Sequence, residues 1–166
     1  MSVKDIDRGW EKAVKEMEFW STHEVVMGWM EGEKERDSDS ESLSNATLAA
    51  THEYGTTDGR IPEGRLGLRE WVDRSQGEIG EKMGRAFSNA IPNGNAKREM
   101  NKVGLWSVSA WRKYQRDVQP GPEWSIATEK AKVKKLGQAG YFREKKLNVT
   151  GQLINGNVHQ VRKKKT

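Results

Sequence analysis

Leu48-Ala49-Ala50-Thr51-His52-Glu53-Tyr54-Gly55, followed by a short polar loop and then Arg60-Ile61-Pro62 and Arg65, is the stretch whose reading decides the fold. Residues Asn45 to Tyr54 read as a short helix that turns Leu48 and Ala49 towards a core. Gly55 is the C′ glycine that stops it by taking positive φ. Glu53 sits in the last turn, where a carboxylate opposes the helix dipole and needs a cationic neighbour. Arg60 and Arg65 are the nearest in sequence, and an ion pair from Glu53 to one of them is expected to fix the turn.

Working outward towards the N-terminus, Ser2 to Trp20 reads as a first helix. Ser2 and Asp5 suit a capping box, and Ile6, Trp10, Val14, Met17 and Trp20 recur on one face, expected to pack in the core. Glu24 to Met30 reads as a strand with both faces covered, hence central in a small sheet. Glu31 to Ser42 then loses all periodicity, with Glu31, Glu33, Glu35, Asp37, Asp39 and Glu41 against Lys34 and Arg36. A segment without apolar groups cannot offset its ordering entropy by burial. It is expected to be a mobile acidic loop, either a solvated hairpin tip or an arm that orders against a neighbouring subunit.

Towards the C-terminus, Leu68 to Ile91 has the pattern of a long amphipathic helix on Leu68, Trp71, Val72, Ser75, Ile79, Ala86 and Phe87, stopped by Pro92-Asn93-Gly94. Gly77, Gly80 and Gly84 lie on one side of it, so either a second helix comes close there or the helix bends. Ala96 to Val118 is the expected partner helix, with Met100, Val103, Ser107, Ala110, Trp111, Tyr114 and Val118 as its stripe. Trp106 falls off that stripe beside Lys102 and Lys113 and reads as a subunit-contact residue or an indole packed at the helix edge. Gln119-Pro120-Gly121-Pro122 breaks the chain. Thr150-Gly151-Gln152-Leu153 suits a helix start, Asn157 to Arg162 fits either helix or strand, and Lys163 to Lys165 read as a frayed, disordered tail.

Composition bounds the class. A chain of 166 residues that is 34% hydrophobic and 32% charged is poorer in apolar residues than the roughly 45–50% of an ordinary soluble domain. A single α+β domain over residues 1–166 is expected, a small mostly antiparallel sheet packed with two to four helices, carrying charged extensions and completing its stability by assembly. Its seven Trp fit that reading, since Trp is enriched at the buried centres of interfaces.

Charge is split along the chain. From Lys130 to Thr166 there are eleven Lys or Arg against Glu144 alone, a net of +10; the whole chain carries +5, so residues 1–129 carry −5. Lys134, Lys135, Arg143 and Lys145 are therefore candidate contacts, as are Glu33, Glu35, Asp37 and Asp39 of the acidic loop. With no cysteine there is neither a disulfide nor a thiolate metal site, and no apolar run reaches the length of a membrane span or a signal region.

The chain carries no phosphate-binding glycine loop, no nucleophile elbow and no His-Glu-x-x-His, and His23, His52 and His159 are scattered. His52 and Glu53 are adjacent on a helix and so point about 100° apart, a poor arrangement for acting on one atom. Neither catalysis nor a cofactor or metal is expected.

Ala49-Ala50-x-His52-Glu53-Tyr54-Gly55, a loop, then Ile61-Pro62 and Arg65 resembles the signature of the tail-completion and virion-morphogenesis proteins of tailed bacteriophages. A second segment, Leu147-Asn148-Val149-Thr150-Gly151-Gln152-Leu153, is similar to that family's Leu-x-x-Thr-Gly-x-Leu element and follows in the family's order. The resemblance implies a short helix and then a strand at the C-terminus. It also implies a virion protein at the head–tail junction, made in the host cytoplasm, that forms a ring, commonly of six copies. Its partners would be neighbouring neck, connector and tail-terminator or tail-tube proteins, with packaged DNA passing through the lumen without sequence recognition. The alternative from another class is a small basic protein that binds nucleic acid without sequence preference.

Overall fold

The computed structural model describes residues 9–30, 44–59, 61, 63, 64, 66–118 and 152–165. In chain order these form α1 (Trp10–Thr22), β1 (His23–Gly28), α2 (Asn45–Tyr54), α3 (Leu68–Asn93), α4 (Ala96–Asp117), α5 (Gln152–Asn155) and β2 (Val158–Lys163). The fold is α+β, with a two-stranded antiparallel β1–β2 sheet among the described residues. Its contacts divide it into two compact units, one of Met1–Met27, Gln76–Ser107 and His159–Thr166, the other of Gly28–Ser75 and Val108–Val158.

In the first unit, α1 starts at Trp10, directly after Gly9 in left-handed geometry at φ 96°. The helix expected from Ser2 is thus shorter at its front over the described residues, and the Ser2–Asp5 capping box lies outside them. Trp10 and Met17, expected in the core, are exposed, and α1 buries no side chain completely. The inward side of α1 combines an edge-on contact of Trp20 with Phe87, ring centroids 5.4 Å apart, with a polar one: the Glu16 carboxylate accepts the Ala96 N–H at 2.6 Å and so caps α4.

β1 is half-buried along its whole length and pairs with β2 alone among the described residues, so it is not the central strand expected. Arg162 reaches across the sheet to Glu24 at 2.9 Å. Lys163 is the last residue of β2, and Lys164 donates its backbone N–H to Thr22 O at 2.9 Å and its ammonium to Ser21 O at 2.7 Å. The frayed tail expected at Lys163 and Lys164 is therefore a strand end, held because its backbone continues the ladder.

The helix α3 passes through Pro92 to Asn93, two residues beyond the expected end at Ile91, and Gly94 at φ 65° closes it with its N–H on Ala90 O at 2.8 Å. Among the described residues a methyl added at Gly77, Gly80 or Gly84 meets nothing within 4 Å, so none of the described helices approaches there. The close approach is at Gly104 of α4, where a methyl would run into the His159 ring of β2. The buried stripe of α4 accordingly runs through Ala96, Met100, Val103, Gly104, Val108, Trp111 and Gln115, rotated from the expected one, and Val118 is exposed. Trp106 is half-buried in the first unit with the Lys82 ammonium 5.5 Å from its ring centroid.

Candidate functional site

The second unit contains what the structure describes of both motif segments. Ser44 opens α2 by accepting the Thr47 N–H on its hydroxyl at 3.1 Å, and Gly55 closes it at φ 76° with its N–H on Thr51 O at 2.9 Å. Both ends of the expected helix, Asn45 and Tyr54, are those observed. Ala49 is buried, Ala50 and Tyr54 are exposed, and His52 and Glu53 are half-buried.

The loop after α2 is folded back onto it by a ladder of main-chain bonds. Thr56 N–H donates to Ile61 O at 2.9 Å, and Ile61 N–H donates to the Thr56 hydroxyl at 3.0 Å. Gly64 N–H then reaches Glu53 O at 2.9 Å and Leu66 N–H reaches His52 O at 3.2 Å. These bonds pull Leu66 into the core, where it is almost wholly buried, as is Trp71 of α3.

Glu53 is the pivot of this corner. Its Oε2 accepts the Leu68 N–H at 3.0 Å and its Oε1 accepts the Arg69 N–H at 2.8 Å, so both carboxylate oxygens hold the first two backbone donors of α3. The residue before α3 is Gly67, at φ 61°, which has no side chain to cap with. Glu53 supplies that cap from the preceding helix, and the positive end of the α3 dipole offsets the unfavourable place of its charge on α2. The start of α3 thus balances the Glu53 charge; the ion pair expected from Glu53 to Arg60 or Arg65 lies outside the described residues. Arg69 adds a second tie by placing its guanidinium 5.2 Å from the centroid of the Tyr54 ring.

Leu153, the described core position of the second segment, is buried in α5, and α5 packs against α2. Trp29 donates its indole N–H to Leu153 O at 2.7 Å and sets its ring edge-on to Trp111, with centroids 5.4 Å apart. Arg112 donates to Asn155 O at 2.9 Å and to Asn157 O at 2.7 Å, and so satisfies carbonyls at the end of α5. Asn157 is fully buried behind it. α5 followed by β2 is the helix-then-strand order that the resemblance implies.

Sequence reasoning missed Trp29, Arg112 and Asn157. Their only signal was local: an indole just past a strand and a basic residue beside the most buried position of α4. Pro62, Arg65, Leu147, Thr150 and Gly151 lie outside the described residues, as does the side chain of Gln152, whose backbone begins α5. The acidic loop with Glu33, Glu35, Asp37 and Asp39, and the basic positions Lys134, Lys135, Arg143 and Lys145, lie outside them too.

The Tyr114 hydroxyl in this unit is pushed up to about 12, first by burial and then by the Glu70 carboxylate, with Arg74 opposing. Among the described residues there is no group of three His, Cys, Asp or Glu placed to hold a metal ion, and no helix long and apolar enough to cross a membrane. Glu53 is engaged by backbone donors on both oxygens, an arrangement that builds a rigid corner between α2 and the start of α3.

No family model matches the chain, and neither a search of curated proteins nor one of solved structures finds a match.

Proposed function

We propose that this chain is a structural protein of a tailed-phage virion, a ring-forming component at the head–tail junction that completes the tail and joins it to the head. The observation that supports the reading is the packing of α2, which carries the first motif, on α5, which begins with Gln152-Leu153, the last two residues of the second, about a hundred residues away in sequence. A pair of short motifs matched by chance has no reason to meet in space. The corner built by Glu53 suits assembly, since it fixes the direction in which α3 leaves α2.

In this reading the chain works by association, with copies of itself and with neighbouring neck, connector and tail-terminator or tail-tube proteins, around DNA that it does not read. The net +10 of residues 130–166 favours a second reading, a basic protein that binds nucleic acid without sequence preference. A phage with an early stop codon in this reading frame separates the two. Filled heads and unjoined tails are expected from the neck role. Normal, infectious particles contradict it, and a defect confined to DNA replication or packaging favours the second reading.

A further inference from the structure

Asn-Gly occurs twice in the chain, as Asn93-Gly94-Asn95 and as Asn155-Gly156-Asn157, and each time its Asn is the last residue of a helix. Such a pair can modify itself, because a glycine has no Cβ to keep its backbone nitrogen from the preceding side-chain amide. Asn93 and Asn155 are both exposed, so access to solvent does not separate them. The groups around the reacting atoms do.

At the first pair both reacting groups are engaged. The Asn93 side-chain amide donates to Asn89 O at 2.8 Å, and the Gly94 N–H donates to Ala90 O at 2.8 Å. Both acceptors belong to α3, a helix of 26 residues, and its end must give up both bonds before Asn93 can react. At the second pair the helix is α5, only four residues long, and a single turn has little stability of its own. Among the described residues no hydrogen bond holds the Asn155 side chain. The bond that Asn155 does make falls on its main-chain oxygen, which accepts from Arg112 Nη2 at 2.9 Å. That oxygen belongs to the same peptide group as the Gly156 nitrogen.

We propose that Asn155 is a site of spontaneous deamidation, promoted by Arg112 and directed by it towards isoaspartate. The Gly156 nitrogen loses its proton and attacks the Asn155 Cγ. Peptide conjugation shares the negative charge of that nitrogen with the Asn155 main-chain oxygen, where the Arg112 guanidinium stabilises it. A bond forms from the nitrogen to Cγ, the Cγ–Nδ2 bond breaks, and Nδ2 leaves as ammonia with the displaced proton. Water then opens the resulting cyclic imide at one of its two carbonyls. Attack at the main-chain carbonyl builds an oxyanion on the atom that Arg112 already holds and gives isoaspartate, whereas attack at Cγ gives aspartate. One water is consumed and one ammonia released, with no oxidant or cofactor. The isoaspartate lengthens the main chain between Ile154 and Asn157 by one carbon and sets a new carboxylate against Arg112, which also holds Asn157 O at 2.7 Å. The proposal does not rest on the neck reading.

The test is peptide mapping by mass spectrometry of the full chain aged in neutral buffer, with an isoaspartyl methyltransferase and a labelled methyl donor to measure isoaspartate. Asn155 is expected to convert roughly tenfold or more faster than Asn93, because its single turn opens more readily than the end of α3. In urea, where neither helix nor the Arg112 contact survives, the two pairs are expected to convert at similar rates and with a smaller share of isoaspartate at Asn155. Arg112→Gln is expected to slow Asn155 several-fold in the native chain, to lower its isoaspartate share and to leave its rate in urea unchanged. The sign separates two roles, since an arginine that only ties down the turn would, once removed, let Asn155 convert faster. Faster or unchanged conversion in Arg112→Gln overturns the proposal, as does an Asn155 that stays intact or converts no faster than Asn93 in the native wild type. Should circular dichroism show that Arg112→Gln does not fold, Arg112→Lys takes its place: it keeps the charge and is expected to keep the excess of isoaspartate over the urea value, and loss of that excess in a folded variant overturns the role of the charge. None of these results touches the neck reading, which fails on particle assembly.

Discussion

Glu53 occupies the end of α2, where its charge is least welcome, and the structure shows what holds it there: the two backbone donors at Leu68 and Arg69. Hydrogen bonds to a charged group are worth about 1.5–3 kcal/mol each in net terms, more than a dipole penalty of a few tenths. Glu53→Gln keeps the shape but turns an amide N–H₂ towards one of the two donors. The expected cost is about 1–2 kcal/mol of stability. Glu53→Ala, which leaves both donors without their acceptor, is expected to cost more. Chemical denaturation of the two variants measures this, and wild-type midpoints in both would contradict the cap. The sequence showed that Glu53 needed a compensating positive charge but not that the start of α3 supplies one. A helix N-terminus carries its charge in backbone groups that no residue letter marks.

Among the elements, those defined by local signals were legible. α2 has the bounds given by its caps and its glycine stop, and the break between α3 and α4 falls at the expected Pro92-Asn93-Gly94. What depends on a neighbour was not. Glycine spacing marked Gly77, Gly80 and Gly84 as a contact face, yet no described residue lies against them, whereas Gly104 admits the His159 ring and Gly94 the Lys12 stem. Periodicity locates a face of a helix but cannot say what lies against it, and the same gap hid the capping of α4 by Glu16, eighty residues away. The two kinds of glycine are therefore expected to respond in opposite ways. Gly80→Ala should stabilise by about 0.5–1 kcal/mol, the ordinary gain of alanine over glycine in a helix. Gly104→Ala gains the same helix term but forces the His159 ring and its strand outward, so a net loss is expected. Thermal melts of both variants check this; equal shifts of the same sign would contradict the close approach of α4 to β2.

At the scale of the whole molecule, a chain rich in charge buries few large side chains among its described residues, packs α5 on α2, and leaves Trp10, Met17 and Leu105 exposed. Of the candidate site, the sequence marked the helix Asn45–Tyr54 and its glycine stop. That α2 and α5 touch was not legible, because contact between distant segments is a property of the fold. Whether residues 31–42 and 130–151 meet a neighbour lies beyond the residues the structure describes, so the test of function belongs to the particle. Gold-labelled antibody against this chain, imaged on purified virions of the phage proposed to encode it, is the most direct measurement. Label concentrated where the capsid meets the tail is the result expected; intact particles that carry no label, or carry it only elsewhere, would contradict the account.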